Sequence, residues 1–191
     1  MGAIDEKMGV TRHRLTVDEY YRMAEVGLLA PDARVELIEG EIVHMPAIGS
    51  RHASTVRRLN AILQHAVSGR AILSVQDPLR LDEHNEPEPD LVLLRPREDF
   101  YARSHPTASD VLLLIEVSDT TARYDREIKV GLYARFGVPE VWIFDLDHTL
   151  LRQYRQPVDD RYLDITETAA PGVTPIASLP GGAIDLTGVF G

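Results

Sequence analysis

Four charged residues of this chain stand where a charge is costly unless it is paired or put to use. Asp90 follows Pro89 and opens the apolar run Leu91-Val92-Leu93-Leu94, so its carboxylate is delivered to the mouth of a buried strand. Glu116 is embedded in Leu113-Leu114-Ile115-Glu116-Val117. On neighbouring strands the two carboxylates could reach one cation, and a cysteine-free oxygen site favours Mg2+ or Mn2+ over zinc. Lys129 falls in the helix expected after the Glu116 strand, bordering a stripe of Ile128, Leu132 and Phe136, with Tyr133 one turn on. An ammonium there would offset charge on a phosphate in the transition state, or position a water. Glu36, between Val35 and Leu37, is the fourth candidate, with Glu39 beside a turn glycine as its rival.

Other chemistries lack their signatures. No glycine-rich phosphate loop or dinucleotide fingerprint is present, and no G-x-S-x-G elbow. None of the seven histidines has a paired metal spacing. Without cysteine there are no disulfides, thiolate nucleophiles or sulfur-ligated zinc, which fits a reducing, cytoplasmic setting. Twenty basic against 30 acidic residues give a net charge of -10, which opposes non-specific binding to a phosphate backbone. Contact with nucleic acid would then need a local basic patch or divalent cations. The longest strongly apolar stretch, Val111 to Ile115, is far short of the roughly 20 residues of a membrane span. No membrane association is expected, since residues 1–13 also lack a signal core and Glu6 stands where an acylation motif wants Ser or Thr.

The elements that must hold these residues are well punctuated. The 191 residues suit one domain over 14–191, with 1–13 as a flexible leader. Thr16 and Glu19 form a capping box for a helix reaching Val26, with Gly27 as its stop. Arg34–Glu39 and Glu41–Met45 read as a hairpin around Gly40, Val35 and Leu37 facing one way and Glu36 and Ile38 the other. Ser50 opens a helix to about Val67, striped by Val56, Leu59, Leu63 and Val67. Strands are expected at Ala71–Val75, Leu79–Leu81, Asp90–Leu94, Val111–Val117, Val141–Phe144, Leu150–Tyr154 and Tyr162–Ile165. One helix from Asp119, Thr120 and Thr121 to Phe136 links the fourth and fifth of these, with Gly137 as its stop. From Pro171 the Pro- and Gly-bearing tail reads as a loop. The order predicts an α/β (α+β) protein with a mixed central sheet flanked by helices.

The segments Glu36–Glu41, Pro89-Asp90-Leu91, Glu116-Val117-Ser118, Tyr124–Lys129 with Tyr133, Gly137–Trp142 and Asp145, in this order, resemble the Uma-two family. That family is grouped with endonucleases of the restriction-endonuclease-like fold and PD-(D/E)XK chemistry, and the resemblance spans roughly residues 14 to 168. It implies metal-dependent cleavage of DNA phosphodiester bonds by Glu36, Asp90, Glu116 and Lys129, the three carboxylates holding Mg2+ or Mn2+. His52 and Tyr133 would stand behind them, and a homodimer is common for such proteins. Two residues after Glu116 the general pattern has lysine; this chain has Ser118, and the resemblance moves the lysine to Lys129.

Plainer readings compete at each position. Asp90 could cap a turn, Glu116 could pair with Arg123, and Lys129 could form a surface ion pair with Asp125 one turn back. His52 could pack or cap, and Tyr133 and Trp142 suit the core. Arg51, Arg57 and Arg58 form a basic group on one helix that could touch phosphates or simply face water. The rival functions are a catalytically silent interaction protein of the same fold, or a metal phosphohydrolase acting on small nucleotides.

Overall fold

The capping box at Thr16 forms as its sequence demands: Thr16 Oγ1 accepts from Glu19 N at 3.2 Å, and Glu19 Oε2 accepts from Thr16 N at 2.8 Å. It starts α1 (Val17–Glu25) in a computed structural model that describes residues 11–67, 69–119 and 121–191. Most of the expected leader and Thr120 therefore lie outside the described residues. The chain divides into two compact units, residues 1–46 with 80–87, and residues 47–79 with 88–191.

In the first unit, β1 (Val35–Ile38) and β2 (Glu41–His44) pair as an antiparallel hairpin. Its turn residues Glu39 and Gly40 both have positive φ, 53° and 76°, as a type I′ turn requires. A Cβ at Gly40 would also fall 2.6 Å from Arg14 Cβ, so only glycine fits. The expected in–out alternation of β1 does not hold, because all four of its residues are buried. Beyond β2, Glu86 N donates to Leu37 O at 2.8 Å, and Tyr20 Oη donates to Val35 O at 3.0 Å. No strand forms over Leu79–Leu81, where the chain bends so that Leu81 N donates to Asn85 O at 3.0 Å.

The second unit is built on a six-stranded sheet of β3 (Ile72–Val75), β4 (Leu91–Leu94), β5 (Val111–Ser118), β6 (Glu140–Asp145), β7 (Leu150–Val158) and β8 (Arg161–Thr168), lying side by side in sequence order. Only β5 and β6 run parallel. Helix α2 (Ser50–Val67) turns Val56, Leu59, Leu63 and Val67 onto one face, where they meet Leu91, Leu93, Leu113, Ile115, Trp142 and Phe144. These strands are covered on both faces, which is why their sequences run apolar without alternation.

The tail differs from the expected loop. It forms β9 (Val173–Pro175) and β10 (Ala183–Asp185) and sends Ile176, Leu179, Ile184, Leu186 and Val189 into the same core. Strands of three residues among prolines and glycines carry no readable period. Arg58 binds this tail, donating to the carbonyls of Gly188 at 2.5 Å and Gly191 at 3.1 Å. Arg51 faces Asp119 and Asp147 at 3.6 and 3.4 Å, so two of the three helix arginines serve contacts within the unit.

The link from β5 to β6 is not one regular helix. Ala122–Tyr124 (α3) leads into a π turn over Asp125–Lys129, then α4 (Val130–Arg135). One extra residue per turn rotates the following side chains by about 100° relative to an α-helix. Ile128 is therefore 47% exposed rather than part of the core stripe, while Asp125 and Lys129 are buried.

Candidate active site

Asp90, Glu116, Lys129, His52 and Tyr133 are all carried by elements of the second unit. The β4–β5 register pairs Leu91 with Ile115, so Asp90, one residue earlier, comes beside Glu116. Asp90 N lies 3.4 Å from Glu116 Oε2, and Val117 N donates to Asp90 Oδ2 at 2.9 Å. Both carboxylates are buried, with 7% and 4% of their surface exposed.

Lys129 Nζ donates to Glu116 Oε1 at 3.1 Å, and Tyr133 Oη donates to the same oxygen at 2.7 Å. Lys129 is only 1% exposed, so the surface-pair reading is excluded. Asp125 instead accepts from Ser118 Oγ at 2.8 Å and Thr121 Oγ1 at 2.6 Å. Arg123 pairs with Glu127 at 3.0 Å rather than with Glu116. A buried ammonium and carboxylate tolerate each other at this depth only as a hydrogen-bonded pair.

His52, near the start of α2, brings its Nε2 within 3.0 Å of Asp90 Oδ2. One contact of this cluster has no cue in the sequence. Gln76, just past β3, donates Nε2 to Asp90 Oδ1 at 3.1 Å and its backbone N to Asp90 O at 3.1 Å. It does so in a left-handed conformation, φ 54°, which costs a non-glycine residue of order 1 kcal/mol or more. A second buried cluster lies across the parallel pair, where Ser118 is in register with Asp145. Burial alone would raise the Asp145 carboxyl, but hydrogen bonds from Arg152 (2.5 Å) and His148 (3.0 Å) hold it below the usual carboxylate range.

Of the residues singled out in the sequence, Asp90, Glu116, Lys129, His52 and Tyr133 stand in one hydrogen-bonded cluster. Glu36 belongs to the first unit, where it is 3% exposed in β1 and in register with Val43. Glu39 lies in the hairpin turn, its backbone N donating to Asn85 Oδ1 at 2.7 Å. Among the described residues no group of three or more His, Asp or Glu side chains is gathered for a metal ion. Two carboxylates are nevertheless the donor set that Mg2+ commonly takes from a protein, waters and phosphate oxygens completing its shell. The residues present fit that ion.

The architecture is similar to that of a solved protein. The crystal structure of a putative nuclease belonging to DUF820 from Anabaena variabilis matches with a TM-score of 0.71 at 17% identity, covering 92% of this chain and 97% of that one. No curated protein is a significant match. A family model, Uma2, described as "Putative restriction endonuclease", matches residues 17–187, and the chain belongs to that family. No helix among the described residues is long and apolar enough to cross a membrane.

Proposed function

We propose that the protein is a metal-dependent endonuclease that hydrolyses DNA phosphodiester bonds. Asp90 and Glu116 would hold Mg2+ or Mn2+, and Lys129 would stand at the phosphate under attack. The observation that carries this reading is the buried series Asp90, Glu116 and Lys129, joined at 3.4 and 3.1 Å on one face of the sheet. The family membership supports it. When bound, the ion would polarise a phosphoryl oxygen and lower the pKa of a coordinated water.

The chain's own groups supply the rest. Gln76 and the Val117 amide fix the Asp90 carboxylate, each from a different oxygen. Tyr133 holds Glu116 Oε1 in place. The Lys129 ammonium, fixed by that oxygen, offsets the charge that gathers on a phosphate in the transition state. The Glu36 carboxylate enters the proposal from the sequence resemblance alone, as a further donor to the ion.

The test is nicking or linearisation of supercoiled plasmid with Mg2+ or Mn2+, against chelator. Cleavage by the parent protein and its loss in folded Asp90→Asn and Lys129→Met variants supports the reading; cleavage unchanged in either refutes it. The net charge of -10 favours a second reading, a phosphohydrolase of small nucleotides, because such substrates need no basic groove. Metal-dependent turnover of mononucleotides but not of DNA would select it. No turnover of either, with no Mn2+ uptake by calorimetry, leaves a silent protein of the same fold.

A further inference from the structure

The π turn has an outward side as well as an inward one. Asp125 and Lys129 point into the protein, whereas Arg126 and Glu127 are exposed and line a pocket of about 520 Å3 against β7 and β8. Val130, Arg152, Tyr154, Arg161 and Ile165 also line it, and none of the Asp90 cluster takes part. Its size lies within the range of small-molecule pockets, roughly 300–1,000 Å3.

Two observations separate this hollow from an ordinary surface dent. First, Tyr154 is only 5% exposed, yet its hydroxyl makes no hydrogen bond to any described residue and is not sealed in protein. Buried phenols normally find a partner. Burial keeps this one protonated well above neutrality, so it stays a donor, with Arg126 near enough to act on it. Second, charges around the pocket are unevenly satisfied. Arg152 is tied to Asp145 and Glu167, and Glu127 is tied to Arg123. Arg126 and Arg161 have no ion pair or hydrogen bond among the described residues, and of the lining carboxylates only Asp160 is similarly unengaged. The three lining arginines and three lining carboxylates balance in number, but two guanidiniums against one carboxylate are left unengaged and so open to an outside anion.

We propose that this pocket binds a small ligand carrying a phosphate or carboxylate on a flat apolar body, at a site separate from the Asp90 cluster. Guanidiniums and a phenol donor match the anion. The Tyr154 and Tyr162 rings, 5.9 Å apart and tilted by 57°, together with Ile165 and Val130, match the body. The proposal stands independently of the nuclease reading.

Thymidine 5′-monophosphate is the probe that carries both chemistries, with thymidine and inorganic phosphate as its halves. Calorimetry should show saturable one-to-one binding of the monophosphate and weaker binding of each half. Arg126→Ala and Arg161→Ala, both at exposed positions, should each weaken it by about tenfold. Tyr154→Phe should weaken it by less, and Asp90→Asn, with its fold checked by circular dichroism, should bind as the parent does. No saturation at millimolar probe overturns the proposal, as does binding that survives both arginine changes. Binding lost in folded Asp90→Asn also overturns it, because the ligand then sits in the carboxylate cluster. If the arginine changes weaken only capture of a DNA duplex, the pocket is a backbone contact and the small-ligand site falls.

Discussion

Ser118 donates its hydroxyl proton to Asp125 Oδ2 at 2.8 Å, so the residue two places after Glu116 anchors the turn that carries Lys129. The strand position carries a hydroxyl, and an ammonium from the next element stands 3.1 Å from Glu116 Oε1. Ser118, Thr121 and Asp125 together fix where the π turn begins, and the π turn fixes which way Lys129 faces. Removing the Ser118 hydroxyl as Ser118→Ala leaves a buried carboxylate one donor short. The expected cost is about 1–3 kcal/mol in denaturant unfolding. If Ser118 acts through the turn, plasmid cleavage falls by more than the folded fraction does, and Ser118→Thr restores part of it. A loss of activity no larger than the loss of folded protein would make the contact purely structural.

Lys129 and Glu116 should behave as one unit. Lys129→Met leaves a carboxylate buried without its cation, and removing one partner of a buried pair costs about 3–5 kcal/mol. Adding Glu116→Gln to Lys129→Met removes the stranded charge. The double variant should therefore be more stable than the sum of the two single changes, by an amount a double-mutant cycle reads directly. Additive losses would mean that the contact carries no coupling.

Much of this arrangement was legible in the sequence, for physical reasons. Asp90 and Glu116 stood out because a charge beside a continuous apolar run must be paired or used, and the strand order put those runs next to each other. The capping box, α2 and a mixed central sheet follow from periodicity and punctuation, although the run Leu79–Leu81 forms no strand. The π turn is not legible, because an extra residue in a helix leaves no compositional mark; a regular helix would turn Ile128 to the core, whereas it is exposed. Gln76 was equally hidden. Its role depends on a left-handed backbone and on a partner distant in the chain, and neither is written locally. The tail's contribution to the core was missed because its strands are too short to show a period.

The conformation at Gln76 offers a test that separates strain from contact. Gln76→Gly relieves the unfavourable backbone and also deletes the amide that holds Asp90 Oδ1. Gln76→Ala deletes the amide and keeps the strain. Gly should therefore be the more stable of the two, by of order 1 kcal/mol. If the amide positions Asp90, both variants should lose Mn2+ affinity to the same extent, measured by calorimetry, although their stabilities differ. Unaltered affinity in both would remove Gln76 from the site.

Acid should destabilise the protein through Asp145. Its carboxyl is buried, which by itself raises its pKa, but Arg152 and His148 hold it below the usual value, so the folded state binds that proton less readily than the unfolded chain. A depressed folded pKa contributes stability that is fully present above the unfolded value, about 4, and is lost as pH falls through the lower folded one. The denaturation midpoint should therefore drop as pH is lowered below about 4. Arg152→Met removes the strongest of the groups that hold the pKa down, so the same carboxyl stays buried with less to stabilise its charge. The variant should be less stable at neutral pH and show a shallower decline in acid, the two unfolding curves converging towards low pH. Parallel curves for parent and variant across that range would show that the acid limb belongs to other carboxylates.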